Sequence, residues 1–141
     1  MSYVRVWLHC VWGTKNRVHF LNSTNKNEIL NHIRENAKIK GVYIDCINGE
    51  KDHIHCIISL GLDQTIMKVM QLIKGESSNW INKNNLIQGK FEWADEYFAV
   101  SVSDSAMPNV RDYIKNQEQH HKVKTWNEEY DEFIEKQGLK K

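Results

Sequence analysis

The sharpest chemical feature of the chain is His53-Ile54-His55. Successive side chains of a strand point to opposite faces, so both imidazoles share one face, ~7 Å apart at their Cα atoms, while Ile54 turns the other way. Two neutral imidazoles so placed can share one divalent metal. The same pair also suits a half-exposed strand whose histidines bond only to solvent and neighbours. Tyr113 and Gln117 make a second feature: four apart on an expected helix, they project a phenol and an amide from one face, one turn apart. A phenolate attacks a phosphodiester when a metal draws charge from the phosphate, and the Gln117 amide oxygen offers a third, neutral ligand. Packing gives the other account of Tyr113, as a core aromatic beside Val110 and Ile114. The third feature is diffuse: Lys15 and Arg17 after Trp12, Lys74 before Gly75-Glu76-Ser77-Ser78, and Lys122 and Lys124 before Trp126. Cations contact phosphates and aromatic faces stack on unpaired bases, although each cluster alone also reads as solvated surface. Adjacent His120 and His121 point about 100° apart on a helix and are poorly placed to chelate one ion together.

Composition bounds what can hold these groups. The chain has 141 residues, 19 Lys and Arg against 18 Asp and Glu, hence a formal charge of +1, and 40% hydrophobic residues. That is one domain's worth of chain, spanning 1–141, with enough core to need no staple. Near-neutrality excludes a polycation that coats nucleic acid through its overall field, but not a local basic patch. Cys10, Cys46 and Cys56 are far apart, form no CxxC pair and read as reduced, buried thiols. The apolar start is broken by Arg5 and His9, and no run approaches the ~20 apolar residues of a membrane span. A cytoplasmic protein without membrane contact is expected.

The elements that must position the chemistry follow from periodicity. Tyr3 to Trp12 alternates as a strand, with Val4, Val6, Leu8, Cys10 and Trp12 on one face, and Gly13 to Arg17 breaks it. Asn25, with Glu28 three residues on, predicts a capped helix ended by Gly41. Two strands, 42–48 and 53–60, are separated by Gly49 to Asp52 as a hairpin. A second helix is expected from about Gln64, with a pattern that can continue past Gly75 to Ile81, then a fourth strand over 91–103 and a helix entered through Ser105 and Pro108. Glu128 to Lys136 forms a last amphipathic stretch, with Tyr130, Phe133 and Ile134 on one side. The βαββαβ order predicts an α+β, ferredoxin-like, split-βαβ antiparallel sheet with helices on one face, plus a C-terminal helix carrying the tyrosine.

Taken together, the run from the first strand into Thr14-Lys15-Asn16-Arg17, Asp52 to His55, Lys74 to Asn82, Phe91 and Trp93 before Ser101-Val102-Ser103, and Tyr113 to His121 resembles the single-tyrosine transposases of the HUH nuclease superfamily. These occur in the smallest insertion sequences and in relatives associated with repeated palindromes. The resemblance implies His53, His55 and Gln117 as ligands of Mg²⁺ or Mn²⁺. It implies Tyr113 as the nucleophile that cuts single-stranded DNA, leaving a 5′-phosphotyrosine link and a free 3′-OH for rejoining. It also implies DNA hairpin ends as the substrate and a homodimer as the working unit, with Lys15, Arg17, Lys74, Lys122 and Lys124 as candidate DNA contacts. A non-catalytic nucleic-acid-binding protein of the same fold is the alternative. Lys51 stands where many relatives have proline, and a ligand set without carboxylate suits Mn²⁺ better than Mg²⁺ on softness grounds.

Overall fold

The computed structural model describes residues 2–117 and 126–138. Four strands, β1 (Trp7–Thr14), β2 (Tyr43–Glu50), β3 (His53–Ser59) and β4 (Trp93–Val102), form one sheet in the order β2-β3-β1-β4. Every neighbouring pair is antiparallel, which is the split-βαβ arrangement. Helices α1 (Lys26–Ile39) and α2 (Ile66–Lys83) cover one face. Helix α3 (Met107–Lys115) lies on the other, and α4 (Trp126–Gln137) follows it in the chain.

The period of two decides which residues meet which layer. Leu8, Cys10 and Trp12 of β1 join Ile54, Cys56 and Ile58 of β3 under α1 and α2. Ile57, on the opposite side of β3, packs with Met107 and Ile114 of α3. Strand β1 begins at Trp7, not Tyr3, because its partners end there: Trp7 faces Ser59 on one side and Val102 on the other. At its far end it continues through Gly13 to Thr14, which pairs with Trp93 beyond a register shift.

Two local details differ from the expected ones, the cap of α1 and the burial of Cys46. Asn25 starts α1 without a capping box; its amide oxygen accepts from Asn22 N and its amide nitrogen donates to Phe20 O. Gly41, at φ +79°, closes the helix in the left-handed region that glycine tolerates. Helix α2 runs unbroken through Gly75. Ser77 spends its hydroxyl inside the fold, donating to Ile73 O at 2.6 Å and accepting from the Trp93 indole at 2.9 Å. Asn82 then grips both backbone groups of Phe91, at 2.7 and 3.0 Å, and fixes the approach to β4. Cys10 and Cys56 are buried free thiols, whereas Cys46 is only half-buried on the edge strand β2.

The turn before the two histidines is short: Glu50 pairs with His53, leaving Lys51 and Asp52 between the strands. Both turn carbonyls are engaged, Lys51 O by Leu21 N at 2.9 Å and Asp52 O by Thr14 N at 2.8 Å. Lysine in place of proline therefore leaves the turn pinned from two sides. Gly49 sits opposite Ile54, and a Cβ there would lie 2.8 Å from His53 O and 3.2 Å from Ile54 Cγ1. Gly75, by contrast, has no neighbouring atom within 4 Å of such a Cβ. Gly49→Ala is expected to cost about 1–3 kcal/mol in urea unfolding through forced backbone movement at the hairpin. Gly75→Ala should stabilise by about 0.5–1 kcal/mol through helix propensity; a destabilised Gly75→Ala or a neutral Gly49→Ala would contradict this packing.

Candidate active site

His53 and His55 stand on the α3 side of β3 and are almost wholly buried. The β1–β3 register sets His55 opposite Val11, and His9, two residues earlier on β1, comes onto the same face. His9 Nε2 and His55 Nδ1 are 2.9 Å apart, and His53 Nδ1 is 2.9 Å from Asp52 Oδ1. These contacts orient the rings, as partners on the rear nitrogen of a ligating histidine do. Asp52 Oδ1 is placed to accept a hydrogen bond from His53 Nδ1, which turns His53 Nε2 forward into the site.

Helix α3 brings Tyr113 and Gln117 to the same place. Pro108 near its start suits the first turn, and Met107 and Ile114 anchor it on Ile57. Its orientation is set from the edge strand β2. Asn48 Nδ2 donates to the carbonyls of Ile114 and Lys115, at 2.9 and 3.2 Å, at the helix end where carbonyls lack partners. Arg111 forms a two-pronged pair with Asp45, at 2.8 and 3.0 Å, beside the register shift between Ile44 and Cys46. The Tyr113 ring lies edge-on to His55, centroids 5.5 Å apart. Gln117 falls just beyond the C-terminal cap of α3, wholly buried; its Nε2 donates to Tyr113 O at 3.1 Å, and its Oε1 lies 3.3 Å from His53 Nε2.

A group that sequence reasoning missed completes the cluster. Glu129 of α4 is buried, accepts a hydrogen bond from the Tyr113 hydroxyl, and places Oε1 3.3 Å from His55 Nε2 and Oε2 3.9 Å from His53 Nε2. His53, His55 and Glu129 have ligand atoms within 4.8 Å of one another and form a group able to hold a metal ion. The fit has a chemical sign. His53 Nε2 and the Gln117 oxygen approach to 3.3 Å, so both face one point that a shared cation would occupy. Glu129 would add to such a group the oxygen donor that hard cations prefer. No signal in the sequence marked it: the last amphipathic stretch reads with Tyr130, Phe133 and Ile134 on one side, and Glu129, next to Tyr130, is buried.

The remaining candidates are dispersed. Lys15 is exposed and paired with Glu92 at 3.0 Å, a contact that raises its pKa. Lys74 donates to Asp95 O at 3.0 Å and lies 5.5 Å above the Tyr97 ring. Arg17 lies over the Tyr130 ring at 5.1 Å. All three border the first half of β4, outside the histidine cluster. Lys122, Lys124, His120 and His121 lie outside the described residues.

Burial governs the local electrostatics. It lifts the Glu129 carboxyl above its ordinary value, against the attraction of His53 and His9. Burial, reinforced by His55, lowers His9 from 6.5 to about 3. The unfolded chain therefore takes up a proton at His9 below about pH 6.5 that the folded chain refuses until about pH 3, so this residue removes stability as pH falls across that window. The slope has a ceiling of about 1.4 kcal/mol per pH unit. In EDTA, His9→Gln should flatten the acid limb of the stability–pH curve; an unchanged limb would show that His9 is not held neutral.

Among the described residues, no helix is long and apolar enough to cross a membrane. No curated protein matches the chain. Solved structures do. A candidate transposase from Deinococcus radiodurans R1 superposes with a TM-score of 0.67 at 23% identity, covering 83% of this chain and 95% of that one. A REP-associated tyrosine transposase bound to a REP hairpin superposes with a TM-score of 0.66 at 18% identity, covering 86% and 72%. At these identities the likeness establishes the shared fold. The family model of IS200-like transposases matches residues 2–117, from the first strand through the tyrosine helix to Gln117, and the chain belongs to that family.

Proposed function

We propose that this chain is a metal-dependent DNA strand transferase that cuts and rejoins single-stranded DNA through Tyr113. One observation carries the reading: a tyrosine hydroxyl, two imidazoles with forward-facing Nε2 atoms and an amide oxygen converge on one buried face, each held from behind by its own contact. Phosphoryl transfer asks for positioning and charge neutralisation more than for covalent chemistry by the protein, and this face supplies positioning. His53, His55 and Gln117 would hold a divalent ion, Mg²⁺ or Mn²⁺, which when bound neutralises charge on the scissile phosphate.

The chain's own residues do the rest. Tyr113 Oη, losing its proton, forms the new bond to phosphorus as the bond to the 3′-oxygen breaks; the strand leaves with a free 3′-OH and the 5′ side stays on the tyrosine. The phosphodiester bond count is conserved, so a 3′-OH can reverse the step and rejoin DNA without ATP. His9 and Asp52 keep the imidazoles in orientation, and Asn48 with the Asp45–Arg111 pair keeps Tyr113 over them. The substrate in this reading is single-stranded DNA with hairpin ends, in keeping with the hairpin-bound neighbour. A homodimer is the working unit, since each chain provides one such tyrosine and joining handles two ends.

Tyr113→Phe should abolish the covalent protein–DNA adduct on a single-stranded hairpin substrate with Mn²⁺ while retaining DNA binding. An adduct that persists in Tyr113→Phe sinks the assignment. His53→Ala is expected to lose cleavage together with at least tenfold in Mn²⁺ affinity by calorimetry; wild-type cleavage in metal-limited buffer would remove the metal role.

A further inference from the structure

Glu129 and Tyr130 are consecutive on α4, yet they dock in two different places on the sheet. Glu129 puts a carboxylate against the Tyr113 hydroxyl and in front of both histidines. Tyr130 forms one wall of the adjoining cleft, of about 170 Å³, between the ends of β1 and β4, bordered also by Val11, Gly13, Asn16, Arg17 and Phe98. Its ring packs on Phe98 with centroids 4.7 Å apart and carries the Arg17 guanidinium 5.1 Å above it. Its hydroxyl donates to Glu96 at 2.9 Å.

We propose that Glu129 and Tyr130 occupy the places of one nucleotide of the bound strand, the carboxylate standing for the phosphate that Tyr113 attacks and the aromatic ring for a neighbouring base. The cleft is thereby assigned as a base-stacking subsite, with Phe98 below the base, Arg17 above it and Glu96 accepting from its N–H edge. α4 and single-stranded DNA are then alternative occupants of this face.

Three features of the site favour this assignment. A carboxylate resembles a phosphate in carrying acceptor oxygens on a small anionic centre, and Glu129 meets the groups that a scissile phosphate must meet. Stacking on an aromatic with a guanidinium on the far side is the usual accommodation of an unpaired base. The register supplies continuity: Val11 faces both His55 and Phe98, so the cleft begins one strand away from the histidine.

The inference rests on the strand-transferase reading for the position of the phosphate, and its test reads binding, not chemistry. Affinity for a fluorescent single-stranded 12-mer is measured by anisotropy for the full chain, for Glu129→Gln/Tyr130→Ala, and for that variant with Phe98→Ala added. The double variant should bind about tenfold or more tightly than wild type, and Phe98→Ala should cancel the gain. Hydrogen exchange of the wild-type protein adds a measurement free of folding effects: saturating 12-mer should raise exchange across residues 126–137. Affinity that is equal or weaker in the double variant, exchange in α4 unchanged or slowed by bound DNA, or no binding by any form overturns the proposal; weaker binding would mark Glu129 as a standing metal ligand. Tightened binding without an adduct at Tyr113 would spare this assignment and defeat the chemistry. A normal adduct with unaltered affinities would do the reverse.

Discussion

Because β1 and β3 pair antiparallel with Val11 opposite His55 and Gly13 opposite His53, one ladder decides both what is core and what is chemistry. A slip of a single residue would exchange the faces, sending Ile54, Cys56 and Ile58 outward and the imidazoles into the helical core. The register is protected by what each face buries. Ile54, Cys56 and Ile58 are fully enclosed beneath α1 and α2, and on the other side the His9–His55 contact closes only in this alignment. The hydrophobic layer and the candidate metal group are thus two readings of one pairing. The pinned turn at Lys51 and Asp52 fixes its phase from the hairpin end.

Tyr113 depends on the ladder at one remove. Helix α3 buries few apolar side chains, so hydrophobic packing alone gives it a face and little else. Its direction comes from polar contacts to the edge strand. Asn48 satisfies two carbonyls at the C-terminal end, and Arg111 meets Asp45 with a planar two-pronged geometry. That ion pair is partly exposed and contributes little stability, but its geometry restrains rotation of the helix about its own axis. Gln117 then ties the helix end to the site by donating to Tyr113 O while its oxygen faces His53.

The legible parts of this arrangement are those that follow from periodicity or spacing within one element. His53 and His55 could be placed on one face because strand period admits no other result, and Tyr113 and Gln117 could be brought together because four residues span a helical turn. The split-βαβ order emerged from the same local patterns. The strand limits did not, because β1 stops where its partners stop, which is a property of β3 and β4. The pattern let α2 continue past Gly75, but not the way Ser77 is enclosed there by Ile73 O and the Trp93 indole. Glu129 was the largest omission. Its neighbours Tyr113, His53 and His55 lie far away in sequence, and a glutamate on an amphipathic helix reads as solvent-facing unless the surface beneath it is already known.

That omission bears on how a nearly neutral chain can manage a polyanion. The net charge of +1 is an average over the whole surface, whereas the site concentrates carboxylates: Asp52 behind His53 and Glu129 in front of it. Burying Glu129 raises its pKa because an anion there loses water, so the position favours any arrangement that brings positive charge to the histidines. Under the proposed function a divalent cation does so, and would make the same position attractive to a phosphate. In that reading the affinity of the site for an anion is conditional on a cation and needs no permanent basic field. Of the lysines and arginines that the sequence offers as candidate contacts, Arg17 lies over the Tyr130 ring beside the adjoining cleft.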